Sequence, residues 1–251
     1  MSSRVRSILN IASFFAVIFM NYIANALPLN GVTQKEISAG YQSYITPAGY
    51  VFSIWGLIYL GLTFYIIIQT LPKWVDNKII RSLDLPFILS CICNISWIIV
   101  WHYFYLTISV MMMLGLLLSL IGLYICLKQH IQTDHSWFGI IRSTFSIYLG
   151  WVGLATVLNI SIWLNSLNLG NIFFSSQYFV ILLLGIVCLI YLYVAFTQRE
   201  VALISVLAWA SLGIGIKNQL HNLVFIASLL IFITCLISIF SILFLRSRNT
   251  S

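Results

Sequence analysis

Two stretches of this chain place asparagine amides in line with large aromatic rings. The residues concerned are Asn94 and Trp97 in one stretch, and Tyr148, Trp151, Ala155 and Asn159 in the other. Within each stretch the spacing is three or four residues, so the side chains share one face of a helix. Rings with a few hydrogen-bonding groups suit a flat, apolar, partly polar ligand. The same pattern is also typical of packing between helices.

A third ring-bearing face follows a proline and a glycine. Pro47 suits the first turn of a helix, and Gly49 allows another backbone or a flat ligand to come close. Phe52, Trp55 and Tyr59 then follow at spacings of three and four. The sequence therefore predicts three rings on one face of a helix that begins at Pro47.

Charged residues offer little for catalysis or for a metal. The five acidic residues, Glu36, Asp76, Asp84, Asp134 and Glu200, fall in predicted loops or at predicted helix ends. The four histidines are His102, His130, His135 and His221, and their spacing does not suit a metal. We therefore predict no catalytic residue and no metal site, and His102 is the one histidine to test as an axial haem ligand. A carboxylate in mid-membrane is typical of proton pumps, and its absence argues against them.

The composition sets these faces in a membrane. Of the 251 residues, 61% are hydrophobic and 7% are charged, whereas a soluble domain has about 25% charged residues. The net charge of +7 does not indicate nucleic acid, because basic residues of membrane proteins sit in loops and set orientation. The bilayer is the expected partner.

Apolar runs of about 20 residues mark the helices that position the rings. We predict eight, at residues 8–27, 47–71, 83–101, 105–127, 138–164, 176–196, 201–216 and 221–245. Most connections between them are short. The exception, residues 28–46, is polar and long enough to fold over the mouth of a bundle.

Basic residues predict that both termini are cytoplasmic. On that assumption the inner segments hold Arg4, Arg6, Lys73, Lys78, Arg81, Lys128, Arg142, Arg199, Arg246 and Arg248, and the outer segments hold Lys35 and Lys217. This bias follows the positive-inside rule. It favours an even number of spans.

The motifs resemble those of the TspO/MBR family, the tryptophan-rich sensory proteins. Its second helix opens with Pro-Pro-Gly-Trp-Val-Phe followed by Trp and Tyr, which the stretch from Pro47 to Tyr59 matches except at Ala48 and Tyr50. Asn94 and Trp97 resemble its third helix. The closest match is the Tyr-x-x-Trp…Ala-Thr-x-Leu-Asn segment that ends here at Asn159. The resemblance covers residues 8–164.

The resemblance implies a five-helix ligand-binding core at residues 8–164, covered by the first loop, and three additional helices at 165–251 without an assigned role. Family members bind porphyrins and haem, so a sensor or receptor for a tetrapyrrole is the expected function, without a required cofactor. The expected ligand-binding residues are Gly49, Phe52, Trp55, Tyr59, Asn94, Trp97, Tyr148, Trp151, Ala155 and Asn159. A homodimer is an expected assembly.

Two other functions stay open, a transporter of a small lipophilic compound and a porphyrin-degrading enzyme. No sequence feature demands catalysis. The family's sterol-recognition segment is broken here after Asn159, where the chain reads Ile-Ser-Ile-Trp-Leu. Tyr50 stands where the family usually has tryptophan, which predicts an altered ligand preference.

Overall fold

The computed structural model describes residues 3–27, 29–41, 43–129, 136–167 and 176–248, and within these ranges it contains helices and no strand. The α-helices are α1 (Ser3–Ala26), α2 (Gln34–Gly40), α3 (Ile54–Thr70), α4 (Lys78–His102), α5 (Leu106–Lys128), α6 (Ser136–Ser166), α7 (Gln177–Gln198), α8 (Val201–Lys217) and α9 (Asn222–Arg248). Short 3-10 helices cover Leu29–Gly31 and Gly49–Ser53. The predicted all-helical class is confirmed.

Seven helices within the described ranges have the length and apolar composition of a membrane span. They cover Arg4–Ala26, Gly49–Thr70, Lys78–His102, Leu106–Lys128, Trp137–Ser166, Gln177–Gln198 and Leu223–Leu245. The helix α8 is also apolar but has only 17 residues. It rises about 26 Å, whereas the hydrocarbon core is about 30 Å thick. The chain is thus a multi-pass membrane protein in which the seventh predicted span, 201–216, is a shorter apolar helix.

The start of α3 differs from the prediction of an α-helix from residue 47. Gly49–Ser53 is a 3-10 helix, and α3 begins at Ile54. The Val51 N–H donates to the Ala48 carbonyl, three residues back, at 3.0 Å, which is the 3-10 pattern. The prediction of an α-helix from residue 47 is therefore wrong at its start, and Phe52 lies in the 3-10 helix that precedes α3.

The first loop contains a helix that the sequence analysis missed. Thr33 precedes α2, and its backbone N–H donates to the Glu36 carboxylate at 2.8 Å. In return the Glu36 N–H donates to the Thr33 hydroxyl at 3.3 Å. This reciprocal arrangement is a capping box. The local sequence Thr-Gln-Lys-Glu carries that signal, so α2 was predictable.

The chain divides into two compact units, which are described separately. The first comprises Met1–Ile37 and Ile54–Asn159, and the second comprises Ser38–Ser53 and Ile160–Ser251. In the first unit, α4 packs along α1 and α5. In the second unit, α8 and α9 pack together and both contact α7.

Three fully buried rings form part of the core of the first unit. Tyr65 of α3 meets Phe87 of α4 edge-on, with ring centroids 5.0 Å apart, and meets Phe145 of α6 at 5.4 Å. The Phe87 and Phe145 rings lie 6.4 Å apart. Edge-to-face pairs of this kind are favourable beyond the apolar area that they bury. These contacts hold α3, α4 and α6 together, and the same three helices carry the predicted ring-bearing faces.

A buried polar cluster joins α1, α3 and α4 in the same unit. The Arg6 guanidinium lies 3.0 Å from the Asp84 carboxylate, and both side chains are about nine-tenths buried. The Asn10 amide donates to Asp84 at 2.6 Å and to the Gln69 amide oxygen at 2.7 Å. The prediction that places Asp84 at a helix end is wrong, because α4 starts five residues earlier than predicted. This carboxylate is ion-paired, so it does not resemble the isolated mid-membrane acid of a proton pump.

Candidate aromatic ligand site

The indole of Trp55 lies at the centre of the aromatic cluster in the first unit. It stacks on Tyr59, with centroids 5.7 Å apart and planes 17° apart, and on Trp97 at 6.4 Å and 29°. Two rings of α6 meet it edge-on, Tyr148 at 5.8 Å and Trp151 at 6.3 Å. Each of these rings comes from one of the three predicted faces. The tertiary structure therefore brings those faces together around one side chain.

Trp101 extends this cluster and was not among the predicted site residues. Its ring stacks on Trp97 with centroids 5.9 Å apart and planes 28° apart. It follows Trp97 by one helical turn, which is the signal that the sequence carried. Trp97 and Trp101 are 6% and 2% exposed. From here on, the ring network means Trp55, Tyr59, Trp97, Trp101, Tyr148 and Trp151.

A chain of polar side chains reaches this ring network from the first loop. The Asn94 amide donates to the Tyr148 hydroxyl at 2.9 Å, and its own oxygen accepts from the Asn21 amide at 3.4 Å. The Asn21 oxygen in turn accepts from the Gln34 amide of α2 at 3.5 Å. The last two hydrogen bonds are long. Asn94 thus orients a ring of the network, and Gln34 connects the first loop to it, a contact that the sequence analysis missed.

The remaining predicted residues of α6 lie farther along the helix. Asn159 is buried, and its amide oxygen accepts from the Ser109 hydroxyl of α5 at 3.1 Å. Ala155 is half-buried. Asn159 therefore joins two helices, which is the ordinary use of a polar residue in a membrane bundle.

Gly49 and Phe52, the other two predicted site residues, belong to the second unit. Their predicted role in ligand binding stays a prediction, as does the role of the first loop as a cover.

In the second unit, α8 holds the stretch that precedes α3. The Ala48 N–H donates to the Gly213 carbonyl at 3.0 Å, and the Trp209 indole N–H donates to the Val51 carbonyl at 3.1 Å. Tyr50 packs edge-on against Trp209, with centroids 5.1 Å apart. A Cβ atom at Gly213 would collide with the Val51 side chain. Glycine at this position thus permits the close approach.

The end of α8 binds the preceding part of the same stretch. The Asn218 amide donates to the Tyr44 carbonyl at 3.0 Å. The Tyr44 ring packs edge-on against His221, with centroids 4.7 Å apart. These contacts account for a buried asparagine and assign α8 a structural role, which the sequence analysis did not give it.

The two histidines within the described residues, His102 and His221, do not belong to a group of possible metal ligands. His102 is buried, and its Nδ1 lies 2.6 Å from the Ile98 carbonyl oxygen, so Nδ1 carries the proton of that hydrogen bond. His130 and His135 lie outside the described residues. In the part of the chain that the structure describes, no three His, Cys, Asp or Glu side chains are grouped to hold a metal ion.

An apolar groove lies elsewhere on the first unit, between α3 and α6. Its volume is about 510 Å³, and Leu57, Leu60, Gly61, Gly139 and Ile140 are among its lining residues. Leu60 is 70% exposed, so the groove opens toward the surroundings of the bundle, where the bilayer would lie.

A family model for TSPO-like proteins matches residues 7–244. The match continues through α7, α8 and most of α9, whereas the resemblance of the motifs ends at residue 164. No curated protein and no solved structure matches the chain. Because the family model covers nearly the whole sequence, this chain belongs to the family of TSPO-like membrane proteins.

Proposed function

We propose that the first unit is the ligand-binding core of a membrane sensor or receptor for a flat hydrophobic molecule, with a tetrapyrrole as the best candidate. The observation that carries this proposal is the position of Trp55, whose ring is surrounded by four others from α3, α4 and α6. Such an arrangement offers both stacking faces and ring edges to a planar guest. Family membership supports the same class of function.

The spacing between neighbouring rings indicates that a ligand must displace part of the network in order to bind. Neighbouring ring centroids in the network are 5.7–6.4 Å apart, so the rings contact one another. A macrocycle that stacks among them must move at least one ring. We therefore expect protoporphyrin to quench tryptophan fluorescence saturably in detergent.

Trp151→Phe is expected to weaken protoporphyrin binding about three- to tenfold, because the variant loses ring area at the edge of Trp55. The dissociation constant is measured from the shift of the porphyrin Soret band, which does not depend on the tryptophan signal. Trp137→Phe is the matched control. Trp137 is also a buried tryptophan of α6, but it pairs with Trp74 at a centroid distance of 5.0 Å instead of with the network. Equal affinities for wild type and the Trp151 variant would contradict the proposed site.

Asn94→Ala is expected to weaken binding by a similar factor without removing a ring. The change removes the donor to the Tyr148 hydroxyl and one of two acceptors of the Asn21 amide, which keeps its hydrogen bond to the Val17 carbonyl, at a cost of about 1–3 kcal/mol in a buried setting. Binding weakens because the Tyr148 ring is no longer held in its orientation by the Asn94 hydrogen bond. The Soret titration measures the affinity, and thermal unfolding of the same sample separates loss of binding from loss of fold.

The proposed receptor crosses the membrane eight times, with both termini in the cytoplasm. The distribution of basic residues supports this, and α8 is apolar although short. Cysteines introduced beside each terminus are expected to react with a membrane-impermeant reagent only after the cell is opened. If α8 does not cross, the two termini lie on opposite sides and only one of them is protected.

A second candidate is an enzyme that degrades a bound porphyrin. The continuity of the ring network favours it, because adjacent indole and phenol rings can support oxidative chemistry. Product formation that depends on light or oxygen and fails in Trp97→Phe would favour the enzyme over the receptor. A transporter is distinguished from both by ligand-dependent flux in proteoliposomes.

A further inference from the structure

The buried amide oxygens around the ring network are already occupied. The Asn94 oxygen accepts from Asn21, the Asn21 oxygen accepts from Gln34, and the Asn159 oxygen accepts from Ser109. In addition, the Tyr148 hydroxyl accepts a hydrogen bond from Asn94. A ligand in the network would therefore find these acceptors engaged.

Two indole donors of the network, those of Trp97 and Trp101, are in the opposite state. Trp97 and Trp101 are both more than nine-tenths buried, and neither Nε1–H has a hydrogen-bond partner among the described residues. An indole nitrogen only donates, so it cannot be satisfied by exchanging roles. A buried donor without an acceptor is costly, and native proteins rarely leave one in that state.

The two donors lie on neighbouring rings, because the rings of Trp97 and Trp101 stack on each other with centroids 5.9 Å apart. They follow one another on α4 by one turn, and Trp97 also stacks on Trp55. A ligand that reaches the Trp55 ring is thus next to Trp97, and Trp101 is the following ring.

Resting on the proposed function, we infer that the site selects flat ligands that carry hydrogen-bond acceptor oxygens, and that the indole N–H groups of Trp97 and Trp101 bind them. The ligand class is a planar macrocycle with carboxylate or carbonyl groups at its edge. A carboxylate gives the stronger hydrogen bond, because the acceptor is charged. A macrocycle with only alkyl groups at its edge leaves both donors unsatisfied.

Three porphyrins of similar size test this selection on the full-length wild-type protein in detergent. Protoporphyrin carries free carboxylates, its dimethyl ester keeps carbonyl oxygens without charge, and etioporphyrin has no oxygen. We expect etioporphyrin to bind about tenfold or more weakly than protoporphyrin, as the loss of two hydrogen bonds implies. Ester affinity near that of the acid identifies the carbonyl as sufficient, and ester affinity near that of etioporphyrin identifies the charged carboxylate.

Trp97→Phe and Trp101→Phe test whether these two indoles are the donors. Each variant is expected to weaken binding of protoporphyrin about three- to tenfold more than it weakens binding of etioporphyrin, since both ligands meet the smaller phenylalanine ring but only protoporphyrin loses a hydrogen bond from the N–H. The Soret band gives the dissociation constants, and Trp137→Phe again serves as the control. In the same titrations, the dimethyl ester shows whether a variant loses affinity through a missing hydrogen bond, which also weakens the ester, or through a missing interaction with the charged carboxylate, which does not.

The outcomes separate this inference from the function on which it rests. Equal affinities for the three porphyrins, or variants that weaken all three alike, overturn the donor role and leave tetrapyrrole binding intact. Absence of saturable binding for all three overturns the proposed function, and the selection with it. The wild-type ligand series distinguishes these outcomes even where a tryptophan variant does not fold.

Discussion

Arg6→Met is expected to lower the free energy of unfolding by about 3–5 kcal/mol, the range observed when one partner of a buried ion pair is removed. The Arg6 guanidinium lies 3.0 Å from the Asp84 carboxylate, and methionine fills similar space without a charge. Asp84 then stays buried, and within the described part of the chain the Asn10 amide is its remaining hydrogen-bond donor. The midpoint of thermal unfolding in a fixed detergent measures the loss.

Arg4→Met is the matched control for this change. It removes the same charge from the same helix, but Arg4 is exposed, so we expect an effect below about 0.5 kcal/mol. The double variant Arg6→Met with Asp84→Leu should recover much of the stability, because it removes the isolated charge. Equal destabilisation by the Arg4 and Arg6 variants would show that the ion pair contributes nothing specific.

Gly213→Val is expected to detach the stretch before α3 from α8 and to cost about 3 kcal/mol or more. The added side chain collides with that of Val51, and overpacking alone costs about 1–3 kcal/mol. Separation also breaks the Ala48 and Trp209 hydrogen bonds, each worth about 1 kcal/mol. Hydrogen exchange should therefore accelerate at the backbone amides of residues 48 and 51, in addition to a lower unfolding midpoint.

Gly185→Val controls for the insertion of a β-branched residue into a helix. Gly185 lies in α7 of the same unit, and a Cβ atom there meets nothing within 4 Å. We expect this variant to keep the exchange rates of residues 48 and 51 and to lose only the small propensity difference between glycine and valine. Accelerated exchange at those two amides in the control would mean that any β-branched residue inserted into a helix of this unit loosens the stretch before α3. The contacts of Gly213 would then not be specific.

The helices and ring faces could be predicted because their signals are local. Apart from the start of α3, apolar runs located the ends of each long helix to within about five residues. The spacing of three and four residues placed Trp97 one turn from Asn94, and Trp151 one turn from Tyr148. The prediction was wrong at the start of α3. Proline favours the first turn of a helix, but the residues after Pro47 also bind a distant part of the chain, through the hydrogen bond from the Ala48 N–H to the Gly213 carbonyl.

Composition and helical period predict a helical membrane protein with rings on three helical faces and amides on two of them, because both are properties of neighbouring residues. Which of these groups meet follows from the tertiary structure. It made Trp55 the centre of the network, paired Arg6 with Asp84 across 78 residues, and bonded Val51 to Trp209 across 158. It also left the Trp97 and Trp101 donors free while engaging the nearby amide oxygens. Contacts between distant residues depend on how the helices pack, and a helical period does not encode that packing.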